Sequence, residues 1–438
     1  MAYYRVEGPN KVDGEIDVSA GKNSTIALMC ASVLVKGEVV LNNMSHVEDV
    51  DRIIEILESI GAEVEWLKED VLRIDTSKEL DVEAIDKEAC MQTRVSLLLI
   101  GALAKRKDNF KIYRSGGCKL GERTTRPHRL AMEKLGLKID NRMDCYAVES
   151  KGLTGDNIVM YESSDTATEN TIMASILAEG ETEIKMASAN YMVQDLCYFL
   201  KQAGAQIDGI GTTNLKITGV DSLSDRVEYT IMPDPIEAMT WISLAVTTGS
   251  NLEIKNCPLQ FLELEMEKLS VMGQDFELKN KRTSTNGNFQ IADIEIIPSD
   301  LSALPDKLSG RPFPGLNIDA VPLFTPILTQ AEGKTLVHDW CYENRAVYYL
   351  ELQKLGADVL LLDPHRAMIE GKSELYGNEI VAPPAIRPAM SILNAMIAAE
   401  GESILRNIYP IERGYQNIVN RLQDLGIEIE KITNKTNA

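Results

Sequence analysis

Apolar residues along this chain recur at intervals of three and four, then switch to strict alternation. The switch is made six times: after Ile53–Ile60, Leu130–Leu135, Cys197–Ala203, Leu264–Met272, Leu350–Leu355 and Ile418–Leu425. The first spacing predicts a helix that buries one stripe, and the alternation predicts a half-buried strand. A glycine stands at each switch: Gly61, Gly136, Gly204, Gly273, Gly356 and Gly426. Glycine suits that place because the residue that ends a helix commonly needs a positive φ. Beyond Gly61, for example, Val64 and Trp66 point to one face of the expected strand.

A second signal precedes most copies. Short alternating runs follow Gly37, Gly180, Gly249, Gly333 and Gly401. Each repeat therefore reads as helix, strand, helix and paired strands, at a period of roughly 70 residues, longer than common solenoid units. Units of that size pack in closed groups, and six of them in 438 residues divide most simply into two lobes of three. The fold class expected is α/β, two-lobed, with three repeats per lobe. Met232-Pro233-Asp234-Pro235 stands near the midpoint, and its two prolines make it the expected crossover. The lobes are expected at 22–232 and at 1–21 plus 233–438, with a ligand cleft between them.

Composition narrows the class. With 66 acidic residues against 45 basic ones, the formal charge is −21, which repels nucleic acid and anionic membrane surfaces. Neither is an expected partner. An acidic protein that binds an anion must gather its cations locally, so clustered arginines become informative. The seven cysteines are irregularly spaced and contain no pair two to four residues apart, as a zinc site would need. They read as reduced thiols of a cytoplasmic protein. The N-terminus lacks the basic-then-apolar order of a signal peptide. The longest apolar stretch, Ile26 to Val35, is far short of the roughly 20 residues that span a bilayer.

Three segments could carry chemistry. Residues 115–128 hold three glycines and one thiol, Cys118, with Arg114, Lys119, Arg123, Arg126, His128 and Arg129 around it. A thiol beside cations gains thiolate character, and glycines let a loop close over a substrate; a solvated basic loop is the plainer alternative. Gly21-Lys22-Asn23, just before an apolar helix, can present an ammonium and backbone N–H groups to an anion, although a simple helix start has the same pattern. Arg345 and Arg413 follow equivalent strands of the fifth and sixth repeats, and Arg387 opens an apolar helix. Equivalent places share one rim, so the three form either an anion site or surface ion pairs. Asp319 precedes another apolar helix.

The loop Gly116-Gly117-Cys118 through Arg123, the pair Lys22-Asn23, Tyr342-Glu343-Asn344-Arg345, Glu412-Arg413-Gly414-Tyr415 and Ile231 to Glu237 occur in an order that resembles the enolpyruvyl transferase family nearly end to end. Within it the chain is most similar to the branch that uses UDP-N-acetylglucosamine. The resemblance implies two inside-out barrels, each of three βαβαββ units. It implies phosphoenolpyruvate as donor and UDP-N-acetylglucosamine as acceptor, with no cofactor and no metal. By position, Cys118 is then the proton donor or covalent partner of phosphoenolpyruvate. Lys22, Arg94, Arg123, Arg387 and Arg413 hold its phosphate and carboxylate. Asp319 orients or deprotonates the acceptor hydroxyl, and Asn23, Asp234 and Arg345 make further contacts. The sequence departs from the family pattern at Glu48, Met192, Ala385 and Thr124-Thr125-Arg126. These departures leave the nucleotide-sugar half of the pattern less well matched than the phosphoenolpyruvate half, so a different nucleotide or sugar acceptor stays open, as does a silent protein that keeps only the fold.

Overall fold

Burial separates the helices into two kinds. Lys22–Ala31, Leu99–Leu103, Asp165–Ile176, Pro235–Thr248, Val321–Thr329 and Ile386–Ala398 are buried on nearly every side. Glu48–Ser59, Arg126–Lys134, Glu263–Val271 and Ile418–Asp424 bury only one stripe. A helix apolar or small all round belongs in a core, and one with a polar face belongs at its edge. The computed structural model describes residues 2–114 and 124–433. These divide into two compact units, one of residues 20–114 and 124–232, the other of residues 2–19 and 233–433.

The fifth repeat shows the build most plainly. The strand Leu308–Ser309 leads into the buried helix Val321–Thr329 and then the strand Gly333–His338, which pairs parallel to the first. The helical turns Arg345–Leu355 follow, then the antiparallel pair Asp358–Asp363 and Arg366–Gly371. The sheet order is 308–309, 333–338, 366–371, 358–363. The third repeat has the same order with strands 157–159, 181–185, 214–218 and 206–208. Parallel neighbours need a crossover, and the buried helix supplies it.

Three strands come from distant parts of the chain. Arg226–Thr230 is the parallel first strand of the first repeat, beside Glu38–Asn42. Glu15–Asp17 plays that part in the fourth, beside Leu252–Pro258. Ala2–Gly8 completes the sixth, between Gly401–Arg406 and Ile429–Thr433. The second repeat shows only the strands 109–113, 137–141 and 145–150 among the described residues. Each unit thus has buried helices inside and sheets outside, the strands alternating between buried and exposed positions.

All six switch glycines have positive φ, from 82° at Gly426 to 105° at Gly204. One expectation needs adjustment: residues 345–355 wind as a 3-10 helix rather than an α-helix. Val347, Tyr348 and Tyr349 in that turn are β-branched or aromatic and lose rotamer freedom in an α-helix. No helix among the described residues is long and apolar enough to cross a membrane.

Candidate active site

In the five repeats that show a parallel strand pair, the central helix N-terminus lies at the carboxyl end of those strands, the edge where ligands of such sheets bind. In the unit of residues 2–19 and 233–433, the helices 235–248, 321–329 and 386–398 pack on one another. Asp234 caps the first, Asp319 stands two residues before the second, and Arg387 is the second residue of the third. Arg345 and Arg413 follow the strands 333–338 and 401–406, which point to the same edge.

Arg387 is 5% exposed. Its Nη2 lies 3.6 Å from Asp234 Oδ2, and its guanidinium stands 4.9 Å over the Tyr415 ring. Tyr415 is itself held by a 2.7 Å hydrogen bond with Thr240 Oγ1. Between Arg413 and Tyr415, a Cβ on Gly414 would come 2.6 Å from Ile386 Cγ2, so only glycine lets this turn lie against the helix start. That close approach brings the Arg413 turn to Arg387. Asp234 accepts from the Ile236 N–H at 2.8 Å. Burial pushes its carboxyl upward, and the Arg387 charge works against that shift.

Arg345 is 1% exposed and surrounded by carboxylates. Its Nε and Nη2 donate to the two oxygens of Asp339 at 2.6 and 2.7 Å, a bidentate fork. The Tyr349 hydroxyl donates to Asp339 as well, and the Tyr342 ring lies 4.3 Å below the guanidinium. On the other side, Nη1 reaches Asp319 Oδ1 at 3.4 Å, and Nη2 donates to the Ile318 carbonyl. Asp319 keeps 27% of its side chain exposed. Arg345 therefore ties a buried acid to a part-exposed one.

In the other unit, Lys22 opens the helix Lys22–Ala31, and its Nζ lies 2.8 Å from Asp49 Oδ2. Asn23 Nδ2 donates to the Tyr191 hydroxyl at 3.4 Å. Arg94 begins the 3-10 turn Arg94–Leu98, which packs against the Lys22 helix. His128 is buried, with Nδ1 3.0 Å from Asn170 Nδ2. Asn170 also donates to the Leu97 carbonyl and accepts from the Gly101 N–H, which fixes its amide and makes Nδ1 of His128 the acceptor. Burial and then the Arg94 charge push His128 down to about 3, so it is neutral at physiological pH. Glu48 shares its helix's first turn with Asp49 and Asp51, and Met192 is buried in the first turn of Tyr191–Gln202. Ala385 is the N-cap of the Arg387 helix and makes no side-chain cap.

Cys118 and Arg123 lie outside the described residues. Of the other expected residues, Asp234 meets Arg387, Asp319 meets Arg345, and Arg413 lies beside the Arg387 helix start; Lys22, Asn23 and Arg94 gather in the second unit. Asp49 and Asp339 were not legible as site residues. An acid in a helix's first turn is ordinary, and Asp339 lies in no recognisable motif.

The fold is that of an enolpyruvyl transferase. The chain belongs to the family described as EPSP synthase (3-phosphoshikimate 1-carboxyvinyltransferase), which matches residues 6–422. It is 36% identical to the UDP-N-acetylglucosamine 1-carboxyvinyltransferase of Borrelia garinii subsp. bavariensis, over 99% of each chain. The enzyme of that name from Treponema denticola is 33% identical over 98% of this chain and 99% of its own. Among solved structures, the enolpyruvyl transferase NikO from Streptomyces tendae superposes with a TM-score of 0.85 at 22% identity, over 99% of each chain. An EPSP synthase from Acinetobacter baumannii gives 0.75 at 17% identity, over 99% of this chain and 100% of its own. The structural likenesses establish the fold.

Proposed function

We propose that the protein transfers the enolpyruvyl group of phosphoenolpyruvate to the 3-hydroxyl of UDP-N-acetylglucosamine and releases phosphate. This is the first committed step of peptidoglycan synthesis, carried out in the cytoplasm. The observation that carries the proposal is full-length likeness, at 36% identity, to an enzyme named for this reaction. The gathering of Asp319, Arg387 and Arg413 at the carboxyl edge of parallel strands supports it.

Lys22, Arg94, Arg123, Arg387 and Arg413 hold the phosphate and carboxylate of phosphoenolpyruvate. Fixed guanidinium groups stabilise anionic charge without reorganising, and their forks match both groups. Cys118 delivers a proton to C3 while the acceptor oxygen attacks C2, its own proton passing to Asp319. The product of this addition is a tetrahedral phospho-ketal. C3 then gives a proton back to the Cys118 thiolate, the C–H electron pair closes the C2=C3 double bond as the C2–O bond to phosphate breaks, and the enol ether is left on the acceptor. An acid and a base must flank one carbon for this sequence. Asn23, Asp234 and Arg345 contact the acceptor or its surroundings.

A second acceptor, another nucleotide or sugar, is favoured by one feature. Glu48 stands in the first turn of its helix with Asp51 beside it and with Asp49 already paired to Lys22, and these two further carboxylates repel a diphosphate placed there. Phosphate release from phosphoenolpyruvate, measured with UDP-N-acetylglucosamine beside other nucleotide sugars, separates the two. Release with UDP-N-acetylglucosamine supports the first; release only with another acceptor replaces it by the second.

A further inference from the structure

We infer that Asp339 is a positioning residue for this reaction, acting through Arg345 on Asp319; the inference rests on the role of Asp319 proposed above. Asp339 is 2% exposed, directly after the strand Gly333–His338. Its own backbone N–H donates to the His365 carbonyl at 2.7 Å, which locks it to the turn between the paired strands of its sheet. Both carboxylate oxygens are occupied by Arg345, at 2.6 and 2.7 Å, and one also accepts from Tyr349. Two parallel hydrogen bonds fix the plane of a guanidinium as well as its place. The Tyr342 ring closes one face of that plane at 4.3 Å.

With Nε and Nη2 held in this way, the remaining edge of the guanidinium has one direction to face. Its Nη1 meets Asp319 Oδ1 at 3.4 Å, and Nη2 meets the Ile318 carbonyl in the same turn. Asp319 has one further local restraint, its N–H donating to Asn317 Oδ1 at 2.9 Å. That bond holds the backbone and leaves the carboxylate to Arg345. Asp339 also offsets the buried charge of Arg345. Without it the whole guanidinium charge would fall on Asp319, which is already 3.4 Å away, and would draw that carboxylate further inward. Asp339 therefore keeps Arg345 a hydrogen-bond donor of fixed direction, and Asp319 available to the acceptor.

The experiment is a double-mutant cycle on the full chain. Steady-state kinetics are measured for the wild type, Asp339→Asn, Asp319→Asn and the double variant, with melting temperatures alongside. Asp339→Asn is expected to lower kcat by about 10- to 100-fold, the scale of a misplaced reacting group, while KM for phosphoenolpyruvate stays within a few-fold. In the Asp319→Asn background the same substitution is expected to have almost no effect on kcat, because the group it positions is gone. Asp339→Glu restores the carboxylate, is expected to recover part of kcat, and carries the test should Asp339→Asn fail to fold. Losses that multiply in the double variant overturn the inference and leave the proposed reaction standing. A wild type inactive with every acceptor, or Asp319→Asn with full activity, overturns both.

Discussion

Lys22 Nζ lies 2.8 Å from Asp49 Oδ2, with both side chains withdrawn from solvent. A buried ammonium needs a counter-charge, and Asp49 supplies one from the first turn of the next helix. The pair fixes the direction of the lysine proposed to meet phosphoenolpyruvate. It also offsets part of the positive charge that a bare ammonium would offer an anion, and the arginines add to what remains.

Removing Asp49 should therefore cost stability. Asp49→Ala leaves a buried ammonium unpaired, a loss of about 3–5 kcal/mol in comparable sites. A clear drop in melting temperature is expected, and the Asp49→Ala, Lys22→Met double variant should regain most of it. Equal losses in the single and double variants would show that Asp49 stabilises through something other than Lys22.

The arginine pair predicts a binding defect. Arg387→Gln and Arg413→Gln should each weaken phosphoenolpyruvate binding by roughly 10- to 100-fold, since hydrogen bonds to charged groups contribute about 1.5–3 kcal/mol. Calorimetric titration of phosphoenolpyruvate into each variant, in the presence of acceptor, reads the effect. Arg387→Lys should recover little, because an ammonium has no planar face to lay over Tyr415 while it reaches Asp234. Unchanged affinity in both glutamine variants would remove these arginines from the donor site.

Particular residues show where the sequence was readable. The six glycines from Gly61 to Gly426 end their helices with positive φ, because a periodic pattern and a backbone requirement coincide at one position. Arg345 and Arg413 could be matched because Gly333 and Gly401 mark equivalent strands. The first strands of the third and sixth repeats were not readable from pattern: Asn157–Val159 and Glu379–Val381 have three residues each, too few for alternation to show. The winding of residues 345–355 was hidden for a different reason, since apolar spacing alone does not separate α from 3-10 turns. The carboxylates behind the cations were hidden as well. Asp49 is 27 residues from Lys22, and nothing local announces the pairing.

The thiols predict site-selective chemistry. Cys30, Cys90, Cys145, Cys197 and Cys257 are buried. Burial pushes their thiols up, Cys90 to about 11, so each is a poor nucleophile. An epoxide-phosphonate resembling the donor should alkylate Cys118 alone, and Cys118→Ala should be unlabelled and nearly inactive. Peptide mass spectrometry checks this. Adduct on Cys341, the exposed thiol among the described residues, would contradict the assignment.

Glu169 predicts a pH-dependent stability. It is fully enclosed in the helix Asp165–Ile176, and burial, then the charge of Asp165, hold its carboxyl well above the usual 4.5. The folded protein keeps a proton there that the unfolded chain releases above the ordinary value, so this group makes stability fall as pH rises. Glu169→Gln copies the neutral acid and removes that term. Its stability relative to wild type, from urea unfolding, should grow from about pH 5 towards pH 8. A difference that does not change with pH would mean that Glu169 is ionised in the folded state.

The central claim is that C2 of phosphoenolpyruvate becomes bonded to an oxygen of the acceptor. Carbon-13 NMR of phosphoenolpyruvate labelled at C2, incubated with the protein and UDP-N-acetylglucosamine, follows that carbon directly. The expected result is an enol-ether resonance on the nucleotide sugar, matched mole for mole by inorganic phosphate. Label remaining in phosphoenolpyruvate, or appearing as free pyruvate with the sugar unchanged, would contradict it.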